Sequence, residues 1–512
     1  MPDLLTALAL LAAVLTLSAL VSGLIERAPI SFPLLFLGIG VLLGERGLGL
    51  LHVGPHDVTL EAVATVSLAL VLFLDAIKLR FDETGWVVPA LILGPGTLLT
   101  IGLVAGAAYL LFALPPLVAV LLGAVLASTD PVVLRDVTRD HRIPRSVRRT
   151  LSVEAGTNDV AVLPIVLVLI ALLRGGMRDP GDWVALLIRL FVVSPAVGFV
   201  VGGFGSWLMR RVDDRLAIRR EYQALYGLGL VLASYAAGQA LGGDGFLTAF
   251  AAGASVVVLN QELCDCFLEY GEVTAEMAML LAFILFGALL SAMIAAGAAP
   301  LLPSLLLAAA ALLVARPAAM GLVLLRASMS RPAKLFVAWF GPRGLSSLLL
   351  ALLVVSGNVP DAERLLAIVG VVVIASVIVH GVSATPLTAW YGRHVERETL
   401  PEERGGEVSD LFSLPLHLLD HALAGAAPRI TPADLAGRLA DPAPPIVLDV
   451  RSRSSYAPEH GQIPGSVRVL PDEVADWAAR RAETDEARGA VAVHGPPADG
   501  RARARQVVTY CT

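Results

Sequence analysis

Three carboxylates stand where the surrounding sequence leaves no place for water. Asp130 lies in Ser128-Thr129-Asp130-Pro131, and Glu154 and Asp159 lie in Glu154-Ala155-Gly156-Thr157-Asn158-Asp159, each inside a long apolar run. A charge at the middle of a bilayer costs about 2.5 to 3.5 kcal/mol on insertion scales, so ionisable residues at that depth usually mark an ion or proton pathway. The chemistry open to this set is reversible binding of a proton or a hard monovalent cation. The region offers carboxylates, the Asn158 amide and the hydroxyls of Thr129 and Thr157, all oxygen ligands. His/Cys groups with zinc-like spacing are absent from the sequence. The bland alternative is a set of buried acids that only brace helices.

The spacing says more. Pro131 has no N–H to donate and disfavours helical geometry at Asp130, so a helix should open near Thr129-Asp130. The freed carbonyls could coordinate a cation beside Asp130, or Asp130 could simply cap the second half-helix. Broken helices at mid-membrane depth build many transporter sites. Glu154 and Asn158 are four apart and share a helix face, whereas Asp159 points about 100° away. Arg316 precedes Pro317 deep in an apolar run and needs a carboxylate, for which Glu154 is the expected partner. Gly341-Pro342-Arg343-Gly344 interrupts a late apolar run as Pro131 interrupts an early one, the pattern of inverted repeats around a central site. Arg343 either offsets the negative end of a half-helix or anchors a helix near the cytoplasmic face. Asp75 reads as interfacial and His380 as a packing histidine. Gly38, Gly40, Gly202 and Gly203 suit close helix packing better than phosphate binding.

The elements that must position these residues are apolar helices. Of the 512 residues 56% are apolar and only 16% charged, and the mean hydropathy is +0.76. Soluble chains carry about 25% charged residues. The fold class expected is an all-α polytopic membrane protein of about 13 transmembrane helices, with inverted repeats and two broken crossing helices, plus a small C-terminal α/β segment. The spans fall near 3–25, 30–44, 59–79, 86–113, 115–137, 150–173, 182–209, 221–241, 244–260, 273–299, 301–325, 333–357 and 363–391. The first is preceded by Asp3 and lacks a basic flank, so it reads as an uncleaved helix. Loops after odd-numbered spans hold about nineteen Lys and Arg against about four after even-numbered ones. That asymmetry predicts a multi-pass cell-membrane protein with its N-terminus outside and its C-terminus cytoplasmic. Cys264, Cys266 and Cys511 make no disulfide framework, and no basic cluster beside aromatics suggests nucleic acid.

Residues 1–394 therefore form the membrane domain, and residues 395–427 a linker in which 410–424 has amphipathic character. Residues 428–512 read as a soluble α/β unit. Thr431-Pro432-Ala433-Asp434 opens a helix, 446–450 and 506–510 are strands, and 472–481 is helical.

The ordered set Ser-Thr-Asp-Pro, Glu-x-x-x-Asn-Asp, Arg-Pro and Phe-Gly-Pro-Arg-Gly resembles the monovalent cation/proton antiporter-1 family of sodium/proton exchangers. Gly245-Phe246-Leu247 and Val379-His380-Gly381 fit the same pattern. The resemblance implies a homodimer whose protomers each pair a dimerisation domain with a mobile core, exchanging Na+ or K+ for H+ by an elevator-like motion. It implies that Asp159 is the main carboxylate for cation and proton, with Asp130 and Thr129 completing the site. Asn158 takes the place of a second Asp found in electrogenic relatives, which implies electroneutral one-for-one exchange. Glu154 and Arg316 would form the family's stabilising ion pair. Ala155 departs from sodium-selective relatives, which often carry a hydroxyl there, and Thr157 is a candidate to compensate. In the tail, Asp449-Val450-Arg451, Tyr456, His460 and Gly461-Gln462-Ile463-Pro464-Gly465 resemble the first half of a rhodanese domain, with Cys511 as the candidate thiol. The loop that would activate that thiol is not in the sequence, so either the chain is a fragment or the domain is incomplete, and sulfurtransferase activity is not expected of the chain as given. An alternative alignment puts 491–494 in that strand and leaves no cysteine there.

Exchange by charge compensation needs no cofactor, and the partners expected are the cation, the proton, the lipid bilayer and a second copy of the chain. A second reading is a non-transporting sensor or scaffold that presents the tail, against which the buried acid set argues. A cation channel would need an acidic ring or filter loop. A nucleotide-gated system would need a Gly-rich strand-turn-helix after the spans.

Overall fold

A computed structural model describes residues 32–78, 87–140, 142–175, 179–216, 218–259, 261–327 and 329–397 of the membrane part. In the tail it describes 432–440, 444–451, 463–470 and 507–510, with isolated positions elsewhere. Apart from isolated positions, the expected first span, residues 398–427 of the linker with its amphipathic segment, and Cys511 lie outside the described residues.

Apolar sequence becomes helix throughout because a chain without water must satisfy its own N–H and C=O groups. The helices in chain order are α1 (Phe32–Leu43), α2 (Val58–Lys78), α3 (Thr97–Phe112), α4 (Pro116–Val125), α5 (Pro131–Arg139), α6 (Arg145–Leu173), α7 (Ser194–Leu216) and α8 (Arg220–Ala240). They continue as α9 (Gly245–Leu259), α10 (Gln261–Ala295), α11 (Arg316–Val323), α12 (Arg331–Trp339), α13 (Leu345–Ser356) and α14 (Ala362–Arg397). Among the described residues, 7 helices are long and apolar enough to cross a membrane, and α1, α4, α9 and α13 are shorter apolar helices. The short second span is as expected, and α10, with 35 residues, begins well before the expected 273.

Three spans contain a π-helical turn, and each has a proline at it. Ile92–Gly96 contains Pro95, Arg189–Val193 precedes Pro195, and Ala310–Ala315 precedes Pro317. Proline leaves an upstream carbonyl without its donor, and the widened turn absorbs the clash. Hydroxyls add a second donor at these turns: Thr97 Oγ1 donates to Ile92 O at 3.2 Å and Ser194 Oγ to Arg189 O at 2.7 Å, each beside its own backbone N–H.

The helices pack in two groups. α1, α2, α7, α8, α9 and α10 pack on one another, and α3 to α6 pack with the 301–326 span and α12 to α14. α2 touches α6 and α13 across the boundary. Close approach explains two of the glycines: a Cβ on Gly40 would overlap the Ile284 backbone, and one on Gly202 would overlap Ser255 and Ala252. Outward side chains are apolar, with Leu110 81%, Val200 69% and Leu302 69% exposed, the pattern of a surface whose solvent is lipid.

In the tail, α15 (Pro432–Leu439) precedes a parallel sheet of order β2-β1-β3, with β1 (Ile446–Asp449) paired to β2 (Val467–Arg468) and β3 (Val507–Tyr510). Buried Asp449 is held by Arg451 at 2.7 Å, and Glu473 lies 3.5 Å from Arg148 at the start of α6.

Candidate ion-binding site

The two breaks meet. The chain leaves helical geometry at 126–130 between α4 and α5, and again at 340–344 between α12 and α13. Asp130 N–H donates to Pro342 O at 2.9 Å, so the two extended segments cross and share a backbone bond. Four half-helix ends converge there, two positive and two negative.

Each end is met by a side chain. Asp130 Oδ1 accepts from Val132 N at 2.7 Å and caps α5, while Oδ2 accepts from Leu345 N at 2.5 Å and caps α13. Arg343, fully buried, donates through Nη1 to the carbonyls of Ala127 at 2.9 Å and Ser128 at 3.0 Å. That places it at the negative end of α4. The carbonyls at the end of α12 are taken by Arg316 Nη2, which donates to Val337 at 3.2 Å and Phe340 at 2.6 Å. His380 Nε2 lies 3.2 Å from Trp339 O in the same turn.

The Gly-Pro-Arg-Gly stretch makes this crossing possible. A Cβ on Gly341 would overlap the Arg316 guanidinium, and one on Gly344 would overlap the Asp130 carboxylate. Arg316 and Glu154 form a bidentate pair at 2.6 and 3.0 Å, both buried, as their isolation in apolar sequence requires.

The remaining α6 face turns to the first break. Asn158 Nδ2 donates to Ala127 O at 3.0 Å and to Thr129 Oγ1 at 3.2 Å. The Ser128 hydroxyl donates to Asp159 Oδ1. Asp159 Oδ2 and Asn158 Oδ1 are buried with no hydrogen-bond partner. Thr157 does not replace a hydroxyl at 155: its Oγ1 donates to Val153 O at 2.5 Å in its own helix.

Asp75 corrects the interfacial expectation. It is 3% exposed near the end of α2, with Oδ2 unpartnered, and it packs against Gly156, where a Cβ would come within 3.3 Å of Oδ1. It lies at the base of a cavity of about 300 Å³ between α2, α5, α6 and α10. The cavity wall carries the ion pair Lys78–Glu272 at 3.1 Å and the pair Arg135–Glu276. Composition could not locate Asp75, because only Ala76 and Ile77 separate it from the polar Lys78 at the end of α2, while its burial comes from α6 and α10.

Charge bookkeeping follows. The buried acids of the membrane part, among the described residues, are Asp75, Asp130, Glu154 and Asp159, and the buried guanidiniums are Arg316 and Arg343. Glu154 is matched by Arg316, and Asp130 by two helix N-termini. Asp75 and Asp159 are left without a matched cation.

Residues 12–390 match the family described as sodium/hydrogen exchanger, transmembrane. The chain belongs to that family. It is 28% identical over 403 residues to the K(+)/H(+) antiporter NhaP of Alkalimonas amylolytica, covering 76% of this chain and 68% of the relative. It is equally 28% identical to the K(+)/H(+) antiporter NhaP2 of Shewanella sp. strain ANA-3, over 78% of this chain and 68% of that one. Its fold is similar to that of the sodium proton antiporter MjNhaP1 of Methanocaldococcus jannaschii, with a TM-score of 0.59 and 22% identity over 76% of this chain and 100% of that chain. This exchanger-family chain is thus a multi-span membrane protein of the cation/proton antiporter class, a transporter and not an enzyme.

Proposed function

We propose that this chain exchanges one sodium or potassium ion for one proton, with Asp159 as the carboxylate that carries either. The observation that carries the reading is Asp159 itself: buried, unmatched by any guanidinium, and with Oδ2 free of hydrogen bonds beside the crossing of two broken helices. A bare carboxylate in a low-dielectric barrier costs several kcal/mol, and a proton or a cation each removes that cost. The two ions therefore compete for one group, and only the neutralised site crosses. That yields coupled exchange without ATP.

Thr129, Asn158 and Asp130 hold the site's frame. Asp130 spends both oxygens on backbone N–H groups, which favours a bracing role over direct cation binding in this conformation. Asn158 is neutral, so one titrating carboxylate at the centre supports electroneutral exchange. Glu154 and Arg316 fix α6 against the 301–326 span, and Arg343 neutralises the end of α4. Asp75 stands between the cavity and Asp159 as an entry carboxylate for ions arriving from the cytoplasm. The further assignments are a homodimer, an elevator-like motion of α3 to α6 and α12 to α14, an outside N-terminus and a separate rhodanese-like unit over 428–512.

The test is proton flux into proteoliposomes holding purified protein, read by an internal pH dye on adding sodium or potassium, with and without a potential clamp. A response that ignores the clamp and vanishes in Asp159→Asn supports the proposal. A flux that follows the clamp overturns the one-for-one stoichiometry, and a flux that survives Asp159→Asn overturns the assignment of the carboxylate. No response to either cation favours the sensor reading.

A further inference from the structure

Two ion pairs stand along α10, and they join it to different partners. Glu272 and Glu276 are four residues apart, share a helix face and both line the cavity. Glu272 meets Lys78 of α2 at 3.1 Å, and α2 and α10 belong to the same helical group. Glu276 meets Arg135 of α5, which belongs to the other group. α5 packs chiefly on α6 and α14, so the Arg135 side chain reaches along the cavity wall to make this contact. Both side chains are mostly shielded, Arg135 32% and Glu276 16% exposed. α5 is also the half-helix whose first turn Asp130 caps, so a tether at Arg135 acts about one and a half turns from the crossing of the broken helices.

We propose that the Arg135–Glu276 pair is a latch that holds the cavity-open conformation and must part each time the site is carried across. The inference rests on the reading that α3 to α6 and α12 to α14 move past the other group during exchange. In lipid, helices have no hydrophobic driving force toward one another, so polar links weigh more in setting how two groups sit. A displacement of one helical turn is about 5.4 Å, more than the roughly 4 Å over which an ion pair is held. Parting leaves Glu276, largely shielded from solvent, without its counter-charge, and that penalty keeps the latch fastened. The Lys78–Glu272 pair has the same chemistry but lies within one group, so the motion does not break it.

The experiment reads the two conformations by pulsed electron paramagnetic resonance on the reconstituted full-length chain. Spin labels go on Arg139→Cys in α5 and Val273→Cys in α10, both exposed positions, with Cys264, Cys266 and Cys511 replaced by serine. The ratio of molecules at the distance of this structure to displaced ones should fall roughly three- to fivefold in Glu276→Gln and in Arg135→Gln. The double variant Arg135→Gln/Glu276→Gln should match the single ones, because one interaction is lost only once. The swap Arg135→Glu/Glu276→Arg should recover the ratio, and Glu272→Gln should leave it unmoved. A merely structural role would lower the folded yield without moving the ratio. An unchanged ratio in Glu276→Gln overturns the inference, including a single population that no variant divides. An equal fall in Glu272→Gln, or additive losses in the double variant, also overturns it. Joining Arg135→Cys to Glu276→Cys with a reducible bifunctional thiol reagent should stop exchange until reduction. If it does while Glu276→Gln keeps the native ratio, only the latch has failed; if the linked protein exchanges at full rate, the reading of moving groups has failed with it.

Discussion

At the scale of residues, the site is organised by which charges are matched. Arg316 and Glu154 form one buried unit, and removing one partner leaves the other charged and dry. Such truncations cost about 3–5 kcal/mol. Glu154→Ala should therefore lower the melting temperature and the folded yield sharply, checked by fluorescence-detected size exclusion after a heat step. Asp159→Asn should do the opposite: it removes an unmatched charge, so the protein should melt no lower than the unmodified chain while losing exchange. Asp75→Asn removes the other unmatched carboxylate. It should slow cation-driven proton flux without abolishing cation-induced stabilisation, as fits an entry group and not the main ligand.

At the scale of elements, two broken helices replace what continuous ones would supply. A helix interrupted in lipid leaves N–H and C=O groups that cost several kcal/mol each unless something reaches them. Asp130, Arg343, Arg316 and His380 do that here, and Gly344 leaves room for the Asp130 carboxylate. Gly344→Ala should push Asp130 off Leu345 N–H, uncapping α13 at a cost of about 1 kcal/mol or more. Loss of exchange should accompany a modest fall in melting temperature. A variant with normal exchange would show that the Asp130–Leu345 bond is dispensable.

At the scale of the whole molecule, the cavity gives the proposed orientation a direct test. It is walled by residues from both helical groups, including Asp75, Arg135, Ser152, Gly156 and Glu276, and the Arg135–Glu276 pair bridges α5 and α10 across it. Its lining includes Arg135, Thr138 and Arg139 of α5, next to the Arg-rich connection between α5 and α6 that the charge asymmetry predicts to be cytoplasmic. A Ser152→Cys substitution should react with a membrane-impermeant thiol reagent in inside-out vesicles and stay protected in right-side-out ones. Addition of the transported cation should slow that reaction if the ion occupies the route to Asp159. Equal labelling from both sides would contradict the orientation.

The sequence alone located most of the apolar helices, though α10 begins at Gln261 where the expected span began near 273, because apolar length and proline position are local properties. It also marked both breaks, at Pro131 and at Gly341–Gly344, and it named the acids and arginines that have no business in lipid. What it could not say is which of them meet. Asp130 and Leu345 are 215 positions apart, and Arg316 and Glu154 are 162 apart. The Arg316–Glu154 pairing was legible only because so few partners are available inside apolar sequence. The double capping by Asp130, the burial of Asp75 and the approach of Ser128 to Asp159 had no such restriction. They depend on how two extended segments cross and on which face of α13 turns inward, and only tertiary packing decides those.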